Sequence, residues 1–401
     1  MKIIEFCLSN VCEDYRLGNN KYVEGVYKIR EVQNEAGVAL RYEISQDVLT
    51  AKEYFQRGRV NIEKGCASNI ESIKRLRNLF LRAFIERIEG INVMRGVFYE
   101  DSGTAKDLSS KRYDKAEILT GYKKELEKGA AKIKMANEYF INGLEELKNI
   151  VDNMPISTYQ KQCYDLVIAE KKGYYTDASP DQFDDYVSTA KSALMNEDLY
   201  TAIINYTKAL RIKPDDAEIN FNIGNIYMGN YDFNRAFNYL NKSLEAGYDD
   251  PLLHIQLGFI YKDKGYEKCY DDDFNLIKEP DSALLERAIS EIKRGLLKLN
   301  EERDNEIAVM AYRMLGLIYK DRKNYSESSK AYEKVISLSR EENYLDYDAL
   351  GDIYRNIDVN KSIKYYKEAI RVADKENEDA KSFIRKTEDK IREVEKHLVE
   401  N

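Results

Sequence analysis

The sequence predicts an all-α protein in which a helical N-terminal module is followed by a stack of helical hairpins and a closing helix. Three observations carry that expectation. A small residue recurs at Ala190, Gly224, Gly258, Gly316 and Gly351, with spacings of 34, 34, 58 and 35 residues. Upstream, two long apolar stripes advance by steps of three and four, the period of a helix face. The 401 residues are 43% hydrophobic and 33% charged, with five prolines and no tryptophan, a composition that suits folded helices better than a disordered chain.

Around each small residue the same helix face returns. One position earlier stand Thr189, Ile223, Leu257, Leu315 and Leu350; three later stand Ala193, Tyr227, Tyr261, Tyr319 and Tyr354. A second helix repeats a triad: Ala202/Tyr206/Ala209, Ala236/Leu240/Ser243, Ala288/Ile292/Gly295, Ser328/Tyr332/Val335 and Ser362/Tyr366/Ala369. Glycine inside a helix costs about 1 kcal/mol relative to alanine, so its periodic use requires two helices to cross too closely for a side chain.

These residues resemble the tetratricopeptide repeat, whose period is 34 and whose pattern runs apolar-Gly, Tyr, Ala, aromatic, Ala and a closing Pro. Residues 202–214, ending in Pro214, and 217–230 carry the pattern best. The resemblance implies a right-handed α-α superhelix, a solenoid of five hairpins over 183–377. It implies protein-protein interaction and not catalysis, because the motif residues stack the hairpins.

The departures have structural readings. The bulky position early in each repeat is Tyr186, Asn220, His254, Tyr312 and Tyr347, so His254 is read as a packing residue. Repeat one replaces Gly and Tyr with alanines, as a terminal repeat does. Repeat three carries an insertion over about 265–282; its Asp271-Asp272-Asp273 run lacks the spacing of a calcium loop and reads as a solvated loop or a partner contact. Residues 378–401 form a charged helix with Phe383, Ile384, Ile391, Val394 and Leu398 on one side, a capping helix for the open end.

Ahead of the repeats, residues 1–178 are expected to form a helical module. Leu119, Tyr122, Leu126, Ala130, Ile133, Ala136, Phe140, Leu144, Leu147 and Ile150 mark one long, coiled-coil-like helix; Ile70, Ile73, Leu76, Phe80, Phe84, Ile88 and Ile91 mark another over about 68–98. A turn is expected near Asp101-Ser102-Gly103, a shorter helix from Pro155 to about Gly173, and a linker at 176–180. Residues 21–45 read as a hairpin or a broken helix, with helix favoured. Lys74, Arg75, Arg77, Arg82 and Arg87 are expected on a solvated positive face, since Glu71, Glu86 and Glu89 share their helix.

Charge argues against nucleic acid as the main partner. Residues 1–180 hold 29 Lys+Arg against 27 Asp+Glu, leaving 34 against 44 in the remainder, an acidic array. The five cysteines form no CxxC pair and the two histidines stand far apart, so no metal site or cofactor is expected. No P-loop, GxSxG, HExxH or GxGxxG motif appears. With neither a signal-peptide pattern nor an apolar run of about 20 residues, a cytoplasmic protein is expected, with a peripheral place on a membrane-bound assembly as a further option.

By the resemblance, the partner groove is lined by outward positions of the first helices: Phe221, Asn222, Asn225, Ile255, Gln256, Phe259, Lys262, Arg313, Leu317, Lys320, Asp352 and Arg355. Lys262, Lys320 and Arg355 share one repeat position, and Phe221, Ile255, Phe259 and Leu317 offer an apolar floor, so an acidic, partly apolar protein or peptide segment is the expected ligand. The family's clamp for a chaperone's terminal carboxylate is excluded: at its positions stand Val187, Lys191, Asn222, Leu252 and Gln256, of which only Asn222 matches. The leading reading is a non-catalytic scaffold or adaptor. The alternatives are a ligand- or peptide-responsive regulator whose repeats control the N-terminal helices, an arrangement resembling bacterial peptide-sensing regulators, and a repeat subunit of a membrane-associated assembly.

Overall fold

The computed structural model describes residues 5, 7–20, 38–65, 71–99, 115–267, 278–301, 303–373 and 378–400. The expected hairpin or broken helix before residue 38, the turn at 101–103 and the Asp271 to Asp273 run lie outside the described residues, as do the side chains of Ile70, Leu119, Tyr122, Leu126 and Leu398. Among the described residues there is no strand. The chain forms two compact units, Met1–Pro214 and Asp215–Asn401.

In the first unit a π-helical turn, Cys7–Val11, runs into helical residues 12–20, together α1. Helices α2 (Val38–Gly65), α3 (Glu71–Tyr99), α4 (Lys115–Asp152) and α5 (Thr158–Tyr175) follow. Helices α3 and α4 pack antiparallel, since Lys132 reaches Glu86 and Glu89 while Arg75 pairs with Glu146. The expected stripes meet there: Leu76, Phe80, Phe84 and Ile91 are fully enclosed, as are Phe140, Leu144 and Leu147. Tyr15 of α1 stacks on Phe140 at 4.0 Å and meets Phe55, Phe84 and Tyr175 edge-on, which centres this core on aromatic rings.

Three expectations change here. Ala130 is exposed and Gly129 buried in its place, because the two helices approach backbone to backbone: a Cβ on Gly90 would stand 3.0 Å from the Gly129 carbonyl. Arg87 does not belong to the solvated positive face; it is 1% exposed, with its guanidinium 5.7 and 5.5 Å from the Tyr15 and Phe55 ring centres. Helix α5 starts at Thr158 and not at Pro155, since Ser157 and Gln160 close a capping box there.

The first hairpin, α6 (Phe183–Met195) and α7 (Leu199–Ile212), lies in the same unit. Helix α5 packs on α7 so closely that a Cβ on Gly173 would stand 2.5 Å from the Ile204 carbonyl oxygen. The range 178–183 lies inside this unit.

The second unit holds four hairpins: α8 (Ala217–Gly229) with α9 (Phe233–Glu245), α10 (Pro251–Gly265) with α11 (Ser282–Leu296), α12 (Asn305–Asp321) with α13 (Tyr325–Leu338), and α14 (Tyr344–Tyr354) with α15 (Val359–Val372). Helix α16, Glu378–Glu400, closes it. Each recurring glycine faces the middle residue of its triad: a Cβ would stand 2.7 Å from Leu240 at Gly224 and 2.5 Å from Ile292 at Gly258. The triad serines add a hydrogen bond across the crossing, Ser328 to the Gly316 carbonyl at 2.7 Å and Ser362 to that of Gly351 at 2.8 Å. Asp216, Asp232, Asp250, Asp281, Asn324, Asn343 and Asp358 cap the following helices by accepting backbone N–H groups, each worth about 1 kcal/mol.

His254 is fully enclosed, as its place in the packing series implied, with Nδ1 2.6 Å from Glu291 and Nε2 2.6 Å from Asp249. Asn220 is also fully buried, and its amide donates to the Asp216 carbonyl at 2.8 Å.

Candidate functional site

Helices α8, α10, α12 and α14 carry eleven of the twelve candidate groove residues and Arg355 caps the end of α14, all within the second unit. Two of them have little surface to offer. Ile255 is 0% exposed, because it fills the space over Gly295, whose Cβ position would stand 2.7 Å from its Cγ1. Phe221 is 7% exposed and packs on Tyr248, ring centres 4.7 Å apart. Of the four residues expected as an apolar floor, Phe259, half-buried against Phe233 at 5.2 Å, and Leu317, 40% exposed, keep surface.

The amides divide from the charges along the array. In repeats two and three, Asn222, Asn225 and Gln256 are half-buried, and the side-chain oxygens of Asn225 and Gln256 are enclosed with no hydrogen-bond donor. Leaving such an acceptor unpaired costs about 1 to 3 kcal/mol. Lys262, on the same helix as Gln256, has its ammonium 5.1 Å from the Phe259 ring centre and no ion pair among the described residues.

In repeats four and five the charges are spoken for by neighbours. Arg313 forks onto Asp346 at 2.7 and 2.6 Å, Lys320 reaches Asp352 at 3.3 Å, and Arg355 pairs with Glu393 of α16 at 2.6 Å. Lys390, also of α16, bridges Asp348 at 2.8 Å and Asp352 at 2.9 Å, while Tyr366 donates to Asp352 at 2.8 Å. Burial works to raise the Asp352 carboxyl, but the hydrogen bonds from Lys390 and Tyr366 hold it below the usual range; burial wins at Asp348 and pushes it up. Lys262, Lys320 and Arg355, equivalent in the repeat, thus differ in surroundings: two are matched by carboxylates inside the unit. Sequence reasoning missed Asp348, Lys390 and Glu393, although the spacing of four between Asp348 and Asp352 sets both carboxylates on one helix face.

Burial pushes the Cys12 thiol up to about 12, which keeps it protonated.

A run of antiparallel helical hairpins, each crossing at a small residue and capped by an aspartate or asparagine, defines an α-helical repeat protein. Residues 197–230 match the model for "TPR repeat", and residues 217–246 and 311–342 match that for "Tetratricopeptide repeat", so these residues are tetratricopeptide repeats. No curated protein matches the chain. Among solved structures it is similar to MamA, at 22% identity over 48% of this chain and 92% of that one with a TM-score of 0.38. It is similar too to the Cut9-Hcn1 hetero-tetramer of the APC/C, at 15% identity over 95% of this chain and 86% of that one with a TM-score of 0.37. The corresponding values for yeast Tom70 are 12%, 96%, 96% and 0.32. Among the described residues no helix is long and apolar enough to cross a membrane.

Proposed function

We propose that the chain is a non-catalytic interaction scaffold: the helical module over 1–178 fixes it to one component, and the five hairpins over 183–377, capped by 378–401, hold a segment of a second protein. The observation that carries this reading is the pair of donor-less amide oxygens, Asn225 Oδ1 and Gln256 Oε1, on successive first helices beside Phe259 and Lys262. A small rotation turns each amide outward to accept a main-chain N–H of a bound segment, which relieves an unpaired acceptor and registers the segment without reading its sequence. Phe259 and Leu317 then take an apolar side chain and Lys262 an acidic one. The partner's acidic contact is thereby confined to Lys262, since Lys320 and Arg355 already face Asp352 and Glu393.

The test is a quantitative pull-down from native lysate, comparing the full-length chain with a triple variant, Asn225→Ala, Gln256→Ala and Lys262→Glu, and with an exposed control at the end of α6, Met195→Ala. Loss of a partner from the triple variant alone, at unchanged helicity, supports this face as the site. Recovery of the same proteins by all three baits rules it out.

A further inference from the structure

A second, separate site opens where hairpins three and four meet. Helix α11 ends at Leu296 and α12 begins at Asn305, so residues 297–304 make an eight-residue connection, against four or five residues at the other second-to-first-helix connections of the repeats. At this junction α11, α12, α13 and the connection itself line an open cavity of about 540 Å³. That volume falls in the range of about 300 to 1,000 Å³ typical of small-molecule sites.

Its lining includes apolar surface from Leu296, Leu315, Ala331 and the rings of Tyr312 and Tyr319. Three lysines and two glutamates also line it, and the pairing among them is unequal. Lys330 holds Glu327 at 2.7 Å, and Lys334 holds Glu301 at 3.0 Å, with the Tyr312 hydroxyl also donating to Glu301 at 2.6 Å. Lys293 makes no ion pair among the described residues; its ammonium stands 5.6 Å from the Tyr319 ring centre, and Tyr319, with Glu327 and Glu286 from farther off, favours its charge. Of the three lysines, Lys293 is therefore the one that no carboxylate holds in direct contact. Leu297, 86% exposed, extends the apolar wall into solvent.

We propose that this cavity binds a free aliphatic carboxylate of medium chain length, its hydrocarbon tail against Leu296, Leu315 and the two tyrosine rings and its carboxylate at Lys293. An apolar body with one anionic end matches both properties of the site, whereas a neutral chain leaves Lys293 unmatched and a cation meets it with repulsion. The site is independent of the partner face on α8 and α10.

The experiment is titration calorimetry on the full-length protein with hexanoate, octanoate and decanoate, each below its micelle concentration, and with decanol and decyltrimethylammonium as probes of the head group. The carboxylates are expected to tighten by about fourfold per methylene, the transfer free energy of one CH₂, and to outbind decanol. Lys293→Gln should weaken decanoate by about tenfold and bring it level with decanol. Leu297→Glu, at an exposed position that leaves the fold intact, should weaken decanoate as well. No decanoate binding to the wild type, or binding that neither variant alters, overturns the proposal. So does a wild-type dimer that Leu297→Glu dissociates, since the cavity would then belong to an interface between copies.

Discussion

Gly316 lies so close to the ring of Tyr332 that a Cβ built on it would stand 2.6 Å from the ring's Cδ2. Real Cβ contacts do not come that near, so the crossing of α12 and α13 depends on hydrogen at this position. Gly316→Ala should therefore destabilise the second unit by about 1 to 3 kcal/mol, the usual cost of overpacking, despite alanine's better helix propensity. Gly229→Ala is the matched control: nothing lies within 4 Å of its Cβ, and the variant should be neutral or more stable. Urea unfolding followed by circular dichroism checks both, and equal midpoints for Gly316→Ala and wild type would refute the close crossing.

Burial separates two candidate groove residues that look alike in the sequence. Ile255→Asp should unfold the array around repeat three, since it places a charge at a fully enclosed position. Leu317→Asp, at 40% exposure, should change stability by no more than about 0.5 kcal/mol. Thermal melts distinguish the pair, and only Leu317→Asp is suited to testing partner binding.

Lys390 joins α16 to hairpin five beside the Arg355–Glu393 pair and the apolar contacts of Ile391 and Val394 with Tyr366. Lys390→Ala leaves Asp348 and Asp352 facing one another without their shared cation, which should cost about 1 to 3 kcal/mol. Hydrogen exchange should quicken in α14 through α16 and remain unchanged in α8 and α9. Uniform exchange across the unit in the variant would show that the closing helix is not held this way.

Asp249 sets an acid limb. Hydrogen bonds from Lys298 and His254 hold its carboxyl down at about 2, against an ordinary value of about 3.9. A depressed acid stabilises the fold above its unfolded pKa, and that contribution is lost as pH falls from about 4 through about 2. Asp249→Asn should therefore melt lower than wild type at pH 6, with the gap closing by pH 2; a gap that stays constant with pH would contradict the assignment.

The repeat was legible because it is written in local spacing. A glycine every 34 residues, an aromatic three positions on and a small-aromatic-small triad mark the positions where two neighbouring helices touch, and those contacts are short in sequence. His254 and the capping helix were read correctly for the same reason. The groove was read less well, because outward positions carry no periodic signal of their own: Ile255 and Phe259 are both apolar, yet only Phe259 keeps exposed surface. Arg87 looked like one more cation on a solvated face until the rings of α1 and α2 were seen around it.

By itself, the sequence determined the helical class and the residues at the hairpin crossings, since helix period and steric fit are properties of adjacent residues. Tertiary structure alone decided which cations remain unmatched. Lys262, Lys320 and Arg355 are equivalent in the repeat, but the carboxylates that meet Lys320 and Arg355 lie 32 and 38 positions away in the chain, and Lys262 meets none among the described residues. A Coulomb interaction depends on distance through space, and the fold sets that distance.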